Sequence, residues 1–127
     1  EESIITRSQP TSGNPLLPGR GICDPHIRIF DGTAYMYATH DASPENDRFI
    51  MKDWWIWASP DLIRWTHECT LIPETTYLPA GFSDCWATDA AGRNGKYYWY
   101  FSEGNRRTGV VVGETPVGPW RDPLAVW

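Results

Sequence analysis

The chain has 127 residues, of which 41% are hydrophobic and 14% aromatic, with a formal net charge of −5; this is too apolar for a disordered segment and enough for one core. The acidic balance, and the scatter of its 11 Lys and Arg along the chain, exclude a nucleic-acid backbone as partner, because phosphate binding needs a basic stripe. No apolar run approaches the ~20 residues of a membrane span, so no membrane partner is expected.

Residues 1–21 are rich in Pro, Gly, Ser and Asn and read as an extended lead-in that docks on the rest. The opening EESIITRSQPTSGNP lacks the charged-then-apolar pattern of a signal peptide and resembles the start of a mature or engineered chain, which points to a secreted or periplasmic protein whose signal has been removed. Residues 22–66 form a first unit. Ile22 to Phe30 is an apolar strand, Asp31-Gly32 a tight hairpin turn, and Thr33 to His40 the returning strand. Asp41 to Asp47 is a polar loop, Met51 to Ser59 a third strand rich in tryptophan, and Leu62 to Thr66 a short fourth strand after a turn at Pro60-Asp61.

Residues 67–82 are an irregular connection containing Pro73, Pro79 and Gly81, and residues 83–127 repeat the first pattern. Ser83 to Gly92 precedes a turn at Asn94-Gly95, followed by strands over Lys96 to Ser102, Gly109 to Glu114 and a short segment near Trp120. DG with AYMY answers to NG with KYYWY, and ASPDLIRW answers to GETPVGPW. Repeated four-stranded units, each too small to bury both faces, are the signature of an all-β fold of the β-propeller type, whose blades number ~4 to 8. Two blades cannot close a ring, so the chain is expected to be part of a longer protein. The competing architecture is a small β-sandwich of about eight strands.

Within this frame two aspartates stand out. Asp24, in CDPHIRIF, and Asp89, in CWATDAAG, each lie near the start of the first strand of a unit. First strands line the axis of a propeller, so their starts converge on one cavity. Taken singly, Asp24 is a turn residue ahead of Pro25 and Asp89 a strand charge at a bulge; taken together, they form the carboxylate pair that glycoside hydrolysis requires.

The segments that flank the aspartates carry a resemblance. NPLLPGRGICDPHI, Asn14 to Ile27, resembles the opening of glycoside hydrolase family 43, and CWATDAAGRNGKYYWYFS resembles that family's second signature, with Thr88 where the family usually has proline. ASPDLIRWT and VGETPVGPW are similar to its recurring strand-turn-strand segments. The resemblance implies a five-bladed propeller enzyme that inverts configuration and acts mostly on arabinose and xylose linkages of plant polysaccharides, of the α-L-arabinofuranosidase or β-xylosidase type. It implies that Asp24 is the general base and that Asp89 tunes the pKa of the general acid, a glutamate of a later blade. Glu103, in SEGN, lies at the far end of a strand and does not match that glutamate's context.

Lesser candidates surround the pair. Trp86 could line a sugar pocket or fill the core, and the eight tryptophans together could pack sheet faces or stack on sugars. His26, two residues after Asp24 on the same strand face, is placed to contact a sugar hydroxyl, and His40 with Asp41 forms a polar pair at a strand end. No cofactor is expected; the acids Asp41, Glu45 and Asp47 offer calcium a weak site, because the loop lacks the glycine and terminal glutamate of an EF-hand. Cys23, Cys69 and Cys85 cannot all pair and read as small buried residues. Two rival functions remain. One is a non-catalytic propeller or sandwich that binds carbohydrate. The other is a retaining fructosidase of the same clan, suggested by Arg121-Asp122-Pro123 although that group's asparagine-aspartate-proline-asparagine opening is absent.

Overall fold

A computed structural model describes residues 14–43, 45 and 48–123. It contains two four-stranded antiparallel sheets, each a simple meander: β1 (Ile22–Phe30), β2 (Thr33–His40), β3 (Asp53–Ser59) and β4 (Thr66–Leu71), then β5 (Cys85–Arg93), β6 (Lys96–Glu103), β7 (Arg107–Gly113) and β8 (Trp120–Arg121). No strand crosses between the sheets, whereas sandwiches of this size use Greek-key connections. Each unit opens on the same hairpin. Asp31-Gly32 and Asn94-Gly95 have φ of 50° and 81°, and of 53° and 76°, the left-handed pair that a two-residue turn needs to follow the twist of its strands.

Side-chain alternation on β2 and β3 gives the first sheet two apolar faces. Tyr37, Trp54 and Ile56 meet Ala90, Trp99, Phe101 and Val111 of the second sheet, forming the main core between the sheets. Tyr37 meets Trp99 edge-on at 5.5 Å, and Trp54 lies 4.7 Å from Phe101. On the opposite face, Ala34, Met36, Trp57 and Trp65 form a second cluster that Leu16 and Leu17 of the incoming segment cover. An aromatic side chain buries ~150–250 Å², so at roughly 25 cal/mol per Å² the fully buried Trp54 and Trp99 are the dominant apolar contributions to this interface.

The structure moves two expected strands. The third begins at Asp53, because Met51 instead makes an isolated parallel bridge to Asp84. The fourth is Thr66–Leu71 and not Leu62 to Thr66, so the sheet takes up residues expected in the connection. The cause is local. Ser59 Oγ accepts from the amides of Asp61 and Leu62, Asp61 Oδ1 accepts from those of Ile63 and Arg64, and Leu62 has a φ of 69°, so residues 60–64 form a side-chain-capped turn. A short 3₁₀ turn over Pro73–Thr75 then leads to β5. In the second sheet the observed bounds shift by up to two residues, with β7 starting at Arg107 because the Arg106 amide closes a tight turn onto the Glu103 carbonyl.

Candidate functional site

The first strands of the two sheets, β1 and β5, lie against each other. Both are interrupted by a bulge. On β1, Cys23 pairs with Thr39 and His26 with Tyr37, so Asp24 and Pro25 together face Ala38. On β5, Trp86 pairs with Ser102 and Thr88 with Phe101, leaving Ala87 as the extra residue. A bulge turns the strand locally and re-aims its side chains, and such irregularities gather at functional sites.

Asp24 sits inside the β1 bulge with a φ of 47°, in the left-handed region that aspartate tolerates better than most residues. It is exposed. Asp89 lies on the regular ladder beyond the β5 bulge, opposite Tyr100. Its carboxylate accepts a forked pair from Arg28, Nε to Oδ1 at 2.9 Å and Nη2 to Oδ2 at 2.5 Å, and the Ala90 amide donates to Oδ1 at 2.8 Å. Partial burial pushes the Asp89 carboxyl up, but the Arg28 hydrogen bonds, the Ala90 amide and the nearby positive charges outweigh it and hold the pKa below the usual carboxylate range. His26 is one of those nearby groups. His26, Arg28 and Phe30 follow one another on alternate positions of β1, and Phe30 packs edge-on against Tyr97 of the second sheet at 5.1 Å, so this row of β1 faces β5 and β6.

The register corrects one expectation. Tyr37 and Tyr100 stand at matching places beyond their hairpin turns, so the β1 residue equivalent to Asp89 is His26, and the equivalent of Asp24 is Ala87. The two aspartates are therefore not repeat-equivalent. Pro25 and Thr88 are: Thr88 occupies the place in the second sheet that proline holds in the first, and its hydroxyl donates to the Tyr100 carbonyl at 2.7 Å while accepting from the buried Trp99 indole. The bulge also breaks the simple alternation by which His26 was placed on the face of Asp24.

The other candidates are held elsewhere. His40 Nδ1 lies 2.7 Å from Asp53 Oδ1, and its ring stacks on Trp55 at 3.7 Å, which makes it a packed member of the β2–β3 edge. Trp86 is half-buried against the core, and its carbonyl accepts from Trp54 Nε1 at 2.7 Å. Glu103 is buried and takes two hydrogen bonds from Arg107, each 2.9 Å; these hold its pKa down, the opposite of what a general acid needs. Asp41 is buried and accepts from the amides of Ser43 and Ile50, closing its loop. Among the described residues no group of three His, Cys, Asp or Glu side chains is placed to hold a metal ion, and Asp47 lies outside those residues. Arg121 is on β8, the outermost strand of its sheet.

Sequence reasoning missed Arg28. Its place in the alternate row of His26 and Phe30 was visible, but nothing there pointed to a partner on the other sheet.

Comparison with known proteins bears on this arrangement. The profile described as Glycosyl hydrolases family 43 matches residues 12–127. A xylosidase/arabinosidase of Bacteroides ovatus is 32% identical over 116 residues, covering 83% of this chain and 36% of the relative. An arabinoxylan arabinofuranohydrolase of Paenibacillus polymyxa is 29% identical over 134 residues, covering 91% and 21%. Among solved structures, a family 43 β-xylosidase/α-arabinofuranosidase from a compost microbial metagenome, in complex with xylotriose, superposes with a TM-score of 0.71 at 29% identity, over 88% of this chain and 38% of the other. A family 43 enzyme of Xanthomonas citri complexed with xylotriose gives 0.70 at 32% identity, over 84% and 33%. The chain thus spans about a fifth to two fifths of the length of the curated relatives it matches.

Proposed function

The chain belongs to glycosyl hydrolases family 43, and from that membership we propose that it carries two of the three carboxylates of an inverting glycosidase. Its two sheets are blades of the five-bladed propeller built by that family. The substrates are arabinose- or xylose-containing plant polysaccharides or oligosaccharides, the class named for the relatives in hand. Such substrates lie outside the cell, which supports a secreted or periplasmic setting.

The observation that carries the reading is the contrast in how the two carboxylates are held. Asp24 sits within a bulge on an innermost strand, with a left-handed backbone that re-aims its side chain away from the ladder. Asp89 is fixed as a carboxylate by Arg28 on the neighbouring innermost strand. Asp24 takes the proton from a water, which attacks the anomeric carbon on the face opposite the leaving group. A glutamate of a further blade protonates the departing oxygen, and inverting geometry separates such an acid from its base by ~6.5 to 9.5 Å. The fixed negative charge of Asp89 keeps that acid protonated near neutrality by disfavouring a second charge.

The buried tryptophans weigh against a non-catalytic carbohydrate-binding module. Trp54, Trp57, Trp65, Trp99 and Trp120 are buried and the Trp55 ring is stacked against His40, so these six described tryptophans are packing residues and not open sugar platforms. The outer position of Arg121 weighs against the retaining fructosidase.

The test is Asp24→Asn in the complete protein. A general base contributes ~10² to 10⁴ in rate, so turnover falls by that factor while affinity for an arabinoxylan oligosaccharide persists. NMR of the first-formed sugar from the wild type is expected to show the inverted anomer. Undiminished hydrolysis by Asp24→Asn, or a retained anomer, would falsify the assignment.

A further inference from the structure

Arg28 belongs to the same site yet has no part in proton transfer. We propose that Arg28 is the positioning residue of Asp89: it reaches from the first sheet to the second and orients the carboxylate by a forked pair. The proposal rests on the assignment of Asp24 and Asp89 made above.

The geometry supports a dedicated clamp. Both oxygens of Asp89 are engaged by one guanidinium whose rigid planar fork matches a carboxylate, and the Ala90 amide takes a second lone pair on Oδ1. The two partners stand on different sheets, so the pair ties Asp89 of β5 to β1. The groups facing Asp89 are few. From β1 they are Arg28 and His26, from β2 the buried Tyr37, and from β6 its cross-strand partner Tyr100. Arg28 is therefore the permanent cation of this set. Without it, the Ala90 amide and His26 are left to oppose the burial that pushes the Asp89 carboxyl up.

A merely structural ion pair would alter stability and leave the pH dependence of turnover in place. In the complete protein, Arg28→Gln is expected to move the acidic limb of the kcat/KM profile upward by about one pH unit, which is about tenfold in proton concentration. KM near neutrality stays within about twofold. Arg28→Lys keeps the charge but not the fork, so its acidic limb falls between those of the wild type and Arg28→Gln. If Arg28→Gln does not fold, Arg28→Lys alone decides, with an intermediate limb expected. A limb at the wild-type position in the folded variants overturns the proposal, even when their melting temperatures fall. Asp24→Asn assayed in parallel separates the two levels: if that variant retains full turnover, the catalytic assignment fails and the role of Arg28 with it, whereas its inactivity together with an unmoved limb in the Arg28 variants defeats only the clamp.

Discussion

β1 and β5 are built to one plan and end in opposite circumstances. Each runs through a bulge into a two-residue left-handed turn, and each opens a four-stranded meander. Between these two sheets β5 places Cys85, Thr88 and Ala90 in the core, whereas β1 contributes only Cys23 and Phe30 at its margin. Repetition of a pattern therefore fixes the backbone without fixing the environment. The same hairpin follows a left-handed aspartate within a bulge on one strand and an anchored aspartate on the regular ladder of the other.

Pro25 and Thr88, equivalent in register, give the largest expected break in the comparison. Thr88 links the Tyr100 carbonyl to the buried Trp99 indole, and its replacement by valine keeps the shape but leaves that indole without its acceptor. Unsatisfied buried groups cost about 1–3 kcal/mol, so Thr88→Val lowers the urea midpoint accordingly. Pro25→Ala, on an exposed position, is expected to change stability by roughly 0.5 kcal/mol or less. Similar losses in the two variants would show that the bulges, and not their surroundings, set the cost.

The next effect concerns charge. Because the folded Asp89 holds its pKa below the usual carboxylate range, the unfolded chain binds more protons than the folded one as acid is added. Its contribution to stability is complete above the unfolded value of ~4 and is lost as the pH falls through the lower folded value. The pair is half open to solvent, with side-chain exposures of 47% and 34%, which limits the contribution to about 1 kcal/mol or less. The gap in denaturant midpoint between wild type and Asp89→Asn should therefore be widest above about pH 5 and close toward pH 2. A gap that does not vary with pH would mean that the asparagine disturbs packing and not charge.

Much of this organisation was legible in the sequence, for identifiable reasons. Asp-Gly and Asn-Gly turns between alternating apolar runs marked both hairpins, and the recurrence of a whole unit marked the blades. The fourth strand was misplaced because LIRWT alternates like a strand, while the Ser59 and Asp61 side chains capture the backbone amides that a ladder would use. The equivalence of Asp24 with Asp89 failed because the two stand at different distances from their hairpin glycines, 32 − 24 = 8 residues against 95 − 89 = 6, while both strands carry the same bulge. Arg28 was missed since a partner on another sheet leaves no trace in local spacing. His40 illustrates the same limit: Asp53 and Trp55, which engage its ring, are brought in by strand pairing.

The smallest effect probes the backbone of the two bulges. Asp24 holds a φ of 47°, a conformation that costs a non-glycine residue about 1 kcal/mol or more, while its equivalent Ala87 is not among the residues of positive φ. Glycine at position 24 relieves that strain but adds freedom to the unfolded chain, and the two changes nearly cancel, leaving a gain of roughly 0.5 kcal/mol or less. Ala87→Gly carries only the entropic penalty and loses about 0.5–1 kcal/mol. Thermal unfolding should thus show opposite signs at equivalent positions of the two strands, with turnover lost only in Asp24→Gly. Opposite signs would mean that β1 tolerates a strained aspartate for the reaction and not for the fold; equal losses would show that the left-handed backbone is set by Pro25 and the bulge, whichever residue stands at position 24.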